Sequence, residues 1–231
     1  AKRLEMEVSF NFGGPGWIIG GKWVVDEDKS KDMIPTFMDV QGSQTIDRDL
    51  PSDLIKTNRS WEVYHPKLSG DEKLLAVVAG KITEGIIDPS TLLVLTEKVN
   101  DNRLKWEVPE GKWRVMCFWL AIDKSHQTVN HFDEEAVQRH CYYLGGKYKE
   151  AVGEEFGKTV ESFFCDSFEL PYLASGIKWS DGLLQKFKEQ KGYELTKYLP
   201  AIWWDVENTS PKIRFDVNQF LSDLGNETFF K

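Results

Sequence analysis

Apolar and polar residues alternate along the opening of the chain. Leu4, Met6, Val8 and Phe10 fall on one side, and Glu5, Glu7 and Ser9 on the other. A period of two belongs to a strand with one covered face, so a strand is expected over residues 4–10. It runs into Asn11-Phe12-Gly13-Gly14-Pro15-Gly16-Trp17-Ile18-Ile19-Gly20-Gly21-Lys22-Trp23. Glycines so close together allow tight turns and close backbone approach. From about residue 35 to residue 123 the texture stays β-like. Residues 74–82, 92–99, 104–108 and 113–122 read as strands, and Pro109-Glu110-Gly111-Lys112 reads as the hairpin turn between the last two. No long helical period interrupts this span, which predicts a small, mostly antiparallel β subdomain or insertion.

After Asn130 the period changes. Asp133 suits an N-cap, and Glu134 and Glu135 complement the helix dipole in the first turn. Val137, Cys141, Leu144, Tyr148 and Val152 then recur at helical spacing. Residues 159–165 form a short apolar strand running into Asp166. A second helix is expected from about Asp181, capped by Ser180 and stopped by Gly192. A third is expected from Ser210-Pro211, with Ile213, Val217, Phe220, Leu221 and Leu224 as its apolar stripe. Helix, strand, helix, helix suits part of an α/β barrel. The expected organisation is a strand and glycine-rich loop over 1–34, an inserted β subdomain over 35–123, and partial barrel βα units over 124–231.

Composition narrows the function. The chain has 231 residues, 41% hydrophobic and 29% charged, which is ordinary for a globular protein. The net charge of −8 disfavours a nucleic-acid surface, which needs clustered Lys and Arg. The longest strongly apolar stretch, residues 115–122, is too short to span a bilayer, and the opening lacks the apolar core of a signal peptide. Neither nucleic acid nor membrane is therefore expected as a partner. Cys117, Cys141 and Cys165 form no C-x-x-C pair, so neither a zinc knuckle nor a redox motif is present and buried free thiols are expected. The nine tryptophans suit either a core or the flat walls of a sugar site.

Several short patterns fail on their chemistry. Gly16 to Lys22 matches the skeleton of a phosphate-binding loop, but Trp23 stands where a magnesium-holding hydroxyl is required. Asp26-Glu27-Asp28-Lys29-Ser30-Lys31-Asp32 resembles the start of a calcium loop. It has Lys31 at the turn glycine and Phe37 at the bidentate glutamate, so a solvated charged loop is expected. Sequons at Asn58, Asn208 and Asn226 carry no weight, and His65, His126, His131 and His140 show no metal-ligand spacing.

The informative segment is Phe163-Phe164-Cys165-Asp166-Ser167-Phe168-Glu169. An apolar strand stops at one acid, and a second acid follows three residues later. Barrel enzymes hold their chemistry at the C-terminal strand ends. Glycoside cleavage needs one carboxyl to protonate the leaving oxygen and another to activate water or attack carbon. Phe168, Leu170 and Tyr172 around Glu169 would disfavour its charged form, as a general acid requires. An N-cap aspartate with a solvent-facing glutamate would show the same local pattern.

Asp166-Ser167-Phe168-Glu169, then Trp179-Ser180, residues 187–195 and Tyr198-Leu199-Pro200 resemble glycoside hydrolase family 106, the α-L-rhamnosidase-like enzymes. Arg214-Phe215-Asp216, residues 221–224, residues 106–113 and the Gly13–Val24 segment fit the same pattern, with Lys22 where proline is expected. The resemblance implies an incomplete (β/α) TIM-type barrel carrying an inserted antiparallel β subdomain. It also implies hydrolysis of rhamnosides with inversion, assisted by calcium through ligands that the sequence leaves unassigned. Glu169 is then the candidate general acid, and Asp166 the candidate to bind sugar hydroxyls or orient the site. Trp17, Trp23 and Trp179 are the candidate substrate-binding residues. A secreted or periplasmic enzyme is implied, with its general base beyond Lys231, so that the chain is expected to act as a fragment that self-associates through open barrel edges. The alternative is a non-catalytic carbohydrate-binding or assembly module, in which Trp17, Trp23, Trp179, Trp203 and Trp204 offer stacking surfaces.

Overall fold

The computed structural model describes residues 1–11, 13, 19–55, 67–124, 127–164 and 176–230. In chain order the strands and helices are β1 (Val8–Asn11), β2 (Lys31–Gln41), β3 (Gln44–Asp49), β4 (Lys73–Thr83), β5 (Ile86–Ile87), β6 (Leu93–Val94), β7 (Val99–Asn100), β8 (Arg103–Val108), β9 (Lys112–Ile122), α1 (Glu134–Val152), β10 (Val160–Phe164), β11 (Ile177–Trp179), α2 (Leu183–Lys191), α3 (Pro200–Trp203) and α4 (Ser210–Phe229). The result is a mixed α/β structure built mostly of β-sheet. It divides into two compact units. The first takes in Ala1–Ser30, Ile122–Pro171 and Glu227–Lys231, and the second Lys31–Ala121 and Tyr172–Asn226.

In the second unit two antiparallel sheets face each other. One follows the order β11-β2-β9-β4-β5, with β6 also on β4, and the other follows β3-β8-β7. Alternation explains the fit. β8 turns Leu104, Trp106 and Val108 inward and Arg103, Lys105 and Glu107 outward. Val115, Cys117, Trp119 and Ala121 of β9, with Val77 and Ala79 of β4, supply the other wall of the same core. Trp106 and Trp113 meet edge to face at 5.5 Å, a geometry worth about 0.5–1.5 kcal/mol beyond area burial. Trp119 donates its indole proton to the Thr36 hydroxyl at 2.9 Å, so its burial leaves no donor unmet.

The first unit pairs β1 with β10 in parallel and packs α1 against them. Asp133 caps α1 by accepting from the Ala136 amide at 3.2 Å, as its sequence position predicts. Val24, Val129, Ala136 and Val137 form a small buried cluster, with Trp23, Cys141 and Phe229 at its margin.

Four readings of the sequence change. Residues 4–6 are not strand: a 3-10 turn spans Lys2–Leu4, and Leu4 and Met6 are exposed, so their alternation faces no layer. Residues 92–99 do not form one strand. The Thr96 hydroxyl accepts from the Val77 amide at 3.0 Å, and this side chain takes over from the ladder between β6 and β7. The run Asp26–Asp32 is not a solvated loop, because Asp28 and Asp32 are buried. α2 begins at Leu183, after Gly182 in the left-handed region, two residues later than expected. Gly192 does end it, with φ of 80° and its amide bonded to the Lys188 carbonyl at 2.8 Å. Among the strands described, the parallel βα arrangement expected of a barrel is represented by the β1–β10 pair with α1.

Candidate active site

β1 and β10 run the same way and finish together, with Asn11 opposite Phe164. The glycine-rich segment follows β1 in the sequence, and Cys165-Asp166 follows β10. The two segments singled out from the sequence therefore leave the same end of one two-stranded sheet. Asp166, Glu169 and Trp17 lie outside the described residues, as does the cleft expected between them.

The described part of the site is held by aromatic side chains. Tyr148 of α1 stacks on Phe10 at 4.7 Å and meets Phe163 at 5.3 Å. Phe156 adds a contact to Phe163 at 6.0 Å. The Tyr148 hydroxyl donates to the Asn11 carbonyl at 2.9 Å, which ties the helix to the last residue of β1. The opposite face of the pair is polar. The Ser162 hydroxyl donates to the Ser9 hydroxyl at 3.0 Å, and the latter reaches the Ser162 carbonyl at 3.3 Å. Phe164, on that same side by alternation, is 55% exposed.

At the other end of the pair Glu7 and Glu161 come together. The hydrogen bond with Glu7 and then its negative charge push the Glu161 carboxyl above its ordinary value. Sequence reasoning passed over this pair, because the two acids are distant in the chain and only the strand register joins them. They sit near the strand starts, away from the end where parallel strands present chemistry.

Trp23 is half-buried. Its indole N–H donates to His140 Nδ1 at 3.3 Å, and its ring lies nearly parallel to Tyr143 at 5.6 Å and to His140 at 6.1 Å. An Nδ1 that accepts belongs to a neutral imidazole with its proton on Nε2. Burial lowers the His140 pKa in the same sense. Trp179 lies in β11 opposite Lys31 and is buried at 5% exposure. Beside it, Lys178 faces Asp32 across the strand pair, and their charges meet at 3.1 Å with both side chains buried. The sequence signal for that pair was a lysine between Ile177 and Trp179, where a strand otherwise reads as apolar.

Calcium finds no home among the described residues: no group of three His, Cys, Asp or Glu side chains is placed to hold a metal ion. The acidic run that resembles a calcium loop has its three aspartates turned to cations instead. Asp26 meets Lys29 at 2.6 Å, Asp28 meets Arg139 at 2.7 Å, and Asp32 meets Lys178.

Against known proteins, the α-L-rhamnosidase family model, glycoside hydrolase family 106, matches residues 69–231. The chain is 25% identical, over an alignment of 266 positions, to a provisionally assigned β-glucuronidase of Formosa agariphila, using 100% of this chain and 22% of that protein. The solved structure of a rhamnosidase from Novosphingobium sp. PP1Y superimposes with a TM-score of 0.62 at 16% identity, covering 98% of this chain and 37% of its own. At that identity the likeness is one of fold. The chain thus spans well under half the length of either relative.

Proposed function

This chain belongs to the α-L-rhamnosidase family, and from that premise we propose that it forms part of a glycoside hydrolase that cleaves rhamnosides with inversion. The observation that carries the reading is the family match over residues 69–231, which takes in β10 and the acidic segment after it. The shared end of β1 and β10 supports it, because barrel enzymes place their catalytic groups at the C-terminal ends of parallel strands. On this reading the two strands are neighbours in a TIM-type barrel, and the antiparallel sheets are its insertion.

In the proposed reaction Glu169 is the general acid. It gives its proton to the glycosidic oxygen as the bond to the anomeric carbon lengthens. Asp166 binds sugar hydroxyls or orients the site. A water attacks the opposite face of the sugar, and a second carboxylate takes its proton, roughly 6.5–9.5 Å from the first as inversion requires. We place that base beyond Lys231, in the remainder of the longer protein that the relatives' lengths suggest. Trp17 and Trp23 are proposed to contact the sugar, whereas Trp179, buried in β11 opposite Lys31, is left to the packing of its own sheet. Calcium remains in the proposal as an ion whose ligands lie outside the described residues, and no step above passes through it.

The enzyme is proposed to act as a secreted or periplasmic protein; no helix among the described residues is long and apolar enough to cross a membrane. The chain on its own is proposed to self-associate through open barrel edges at β1 and β10, beside the exposed Phe164. The deciding experiment follows the full-length protein on an aryl α-L-rhamnoside by NMR. Inversion releases the β-anomer of rhamnose first. First release of the α-anomer, or unchanged turnover of an alkyl rhamnoside by Glu169→Gln, defeats the assignment.

A further inference from the structure

The face of the six-stranded sheet turned away from the sandwich core is covered at one end and open at the other. At the covered end Phe118 packs on Trp203 at 5.6 Å and on Trp204 at 6.3 Å. The cover stops at Phe37, whose ring meets Trp204 edge to face at 5.7 Å and is 37% exposed. Beyond it, on the same face, lie Asp39 of β2 and Lys112 and Arg114 of the neighbouring β9.

These side chains hold one another in place. The Arg114 guanidinium sits 4.5 Å above the Phe37 ring. It holds Asp39 with two parallel hydrogen bonds, Nε to Oδ1 at 2.8 Å and Nη2 to Oδ2 at 3.0 Å. Lys112 Nζ lies 3.6 Å from Oδ2 with its side chain mostly in water. Two cations face one carboxylate, so the ledge carries one net positive charge on a chain whose total is −8. A guanidinium has five N–H donors and an ammonium three, so both cations keep donors beyond those given to Asp39.

We propose that this ledge is a glycan-binding site apart from the catalytic acids, and that it takes an acidic glycan. A uronate carboxylate would meet Lys112 and Arg114, and the apolar face of a sugar ring would lie against Trp204, the ring that Arg114 leaves uncovered. The charge selects an anion, and the Trp204 ring selects a ligand with a flat apolar face. The inference rests on the chain's role in glycan chemistry but not on Glu169 or Asp166.

Affinity electrophoresis of the full-length protein, in gels holding polygalacturonate, dextran or single-stranded DNA, tests it. A difference between the parent and Lys112→Glu, compared in the same gels, reports this site rather than one elsewhere in the longer protein. The expected result is retardation by polygalacturonate alone, weakened about tenfold in Lys112→Glu. Glu169→Gln should bind like the parent, which separates loss of hydrolysis from loss of this site. Trp204→Ala tests the aromatic half, and Lys112→Glu, altered in water, keeps the test valid where Trp204→Ala fails to fold. Equal retardation by dextran or by DNA, no retardation at all, or undiminished binding by Lys112→Glu overturns the proposal.

Discussion

Tyr148 donates its hydroxyl proton to the carbonyl of Asn11 at 2.9 Å while its ring stacks on Phe10, one residue earlier, at 4.7 Å. One side chain thus fixes both the direction and the end of β1. Asn11 is the last strand residue before the glycine-rich segment, so the contact sets where that segment starts.

Tyr148→Phe should therefore separate the two roles. The ring contacts survive and one hydrogen bond is lost, at about 0.5–1.5 kcal/mol. Tyr148→Ala also loses the packing on Phe10 and Phe163 and should cost more, about 2–4 kcal/mol by analogy with other large aromatic truncations that stay partly solvated. Urea titrations of the three proteins check the order. Equal loss in the two variants would mean that the ring contributes nothing.

Asp32 and Lys178 make a pair withdrawn from water, with side chains 0% and 1% exposed. Lys178→Met removes the cation and leaves the carboxylate inside, so it should destabilise by about 3–5 kcal/mol. The double variant Asp32→Leu with Lys178→Met should recover much of that loss, because neither charge of the pair is left buried without the other. Denaturation midpoints of the single and double variants decide. A double variant weaker than the sum of the singles would show that the pair is not the unit that matters.

These two contacts mark the limits of what the sequence shows. Strands such as β8 and β9 and the helices α1 and α4 were legible, because one face of each is buried and the apolar period records it. Residues 4–6 carry the same alternation with no layer to face, so the period misled. The buried aspartates at 28 and 32 read as solvated, since a carboxylate's partner, here Arg139 or Lys178, lies more than a hundred residues away. Of the candidate site, the strand leading to the acids and its end were legible. The clamp by Tyr148 and the meeting of Glu7 with Glu161 were not, because the first joins a helix to a strand far away in the sequence and the second depends on the register of two distant strands.

Asp39 should make stability fall at acid pH. Partial burial acts to raise its pKa, but the hydrogen bond from Arg114 and the charges of Arg114 and Lys112 outweigh it and hold the carboxyl below its ordinary 3.8. With the folded value depressed, the unfolded chain binds the proton more readily. The contribution is present above the ordinary value and is lost as pH falls through the lower folded one. Melting temperatures between about pH 5 and about pH 2.5 should fall more gently in Asp39→Asn than in the parent. Parallel curves would remove Asp39 from the acid response.

The role proposed for Glu169 makes a prediction that depends on the leaving group. A general acid matters when the departing oxygen is a poor anion, as in an alkyl rhamnoside. It matters little when the oxygen leaves as a stable anion, as in a 2,4-dinitrophenyl rhamnoside. In the full-length enzyme, Glu169→Gln should lower kcat/KM on the alkyl glycoside by about 10²–10⁴. On the dinitrophenyl glycoside the loss should be under about tenfold, since binding and water activation stay intact. The pH profile gives a second reading. The acid must be protonated to act, so parent activity on the alkyl substrate falls as pH rises through its pKa, and the variant should lack that alkaline limb. Equal losses on both substrates, with the limb retained, would mean that Glu169 positions the sugar and that another group supplies the proton.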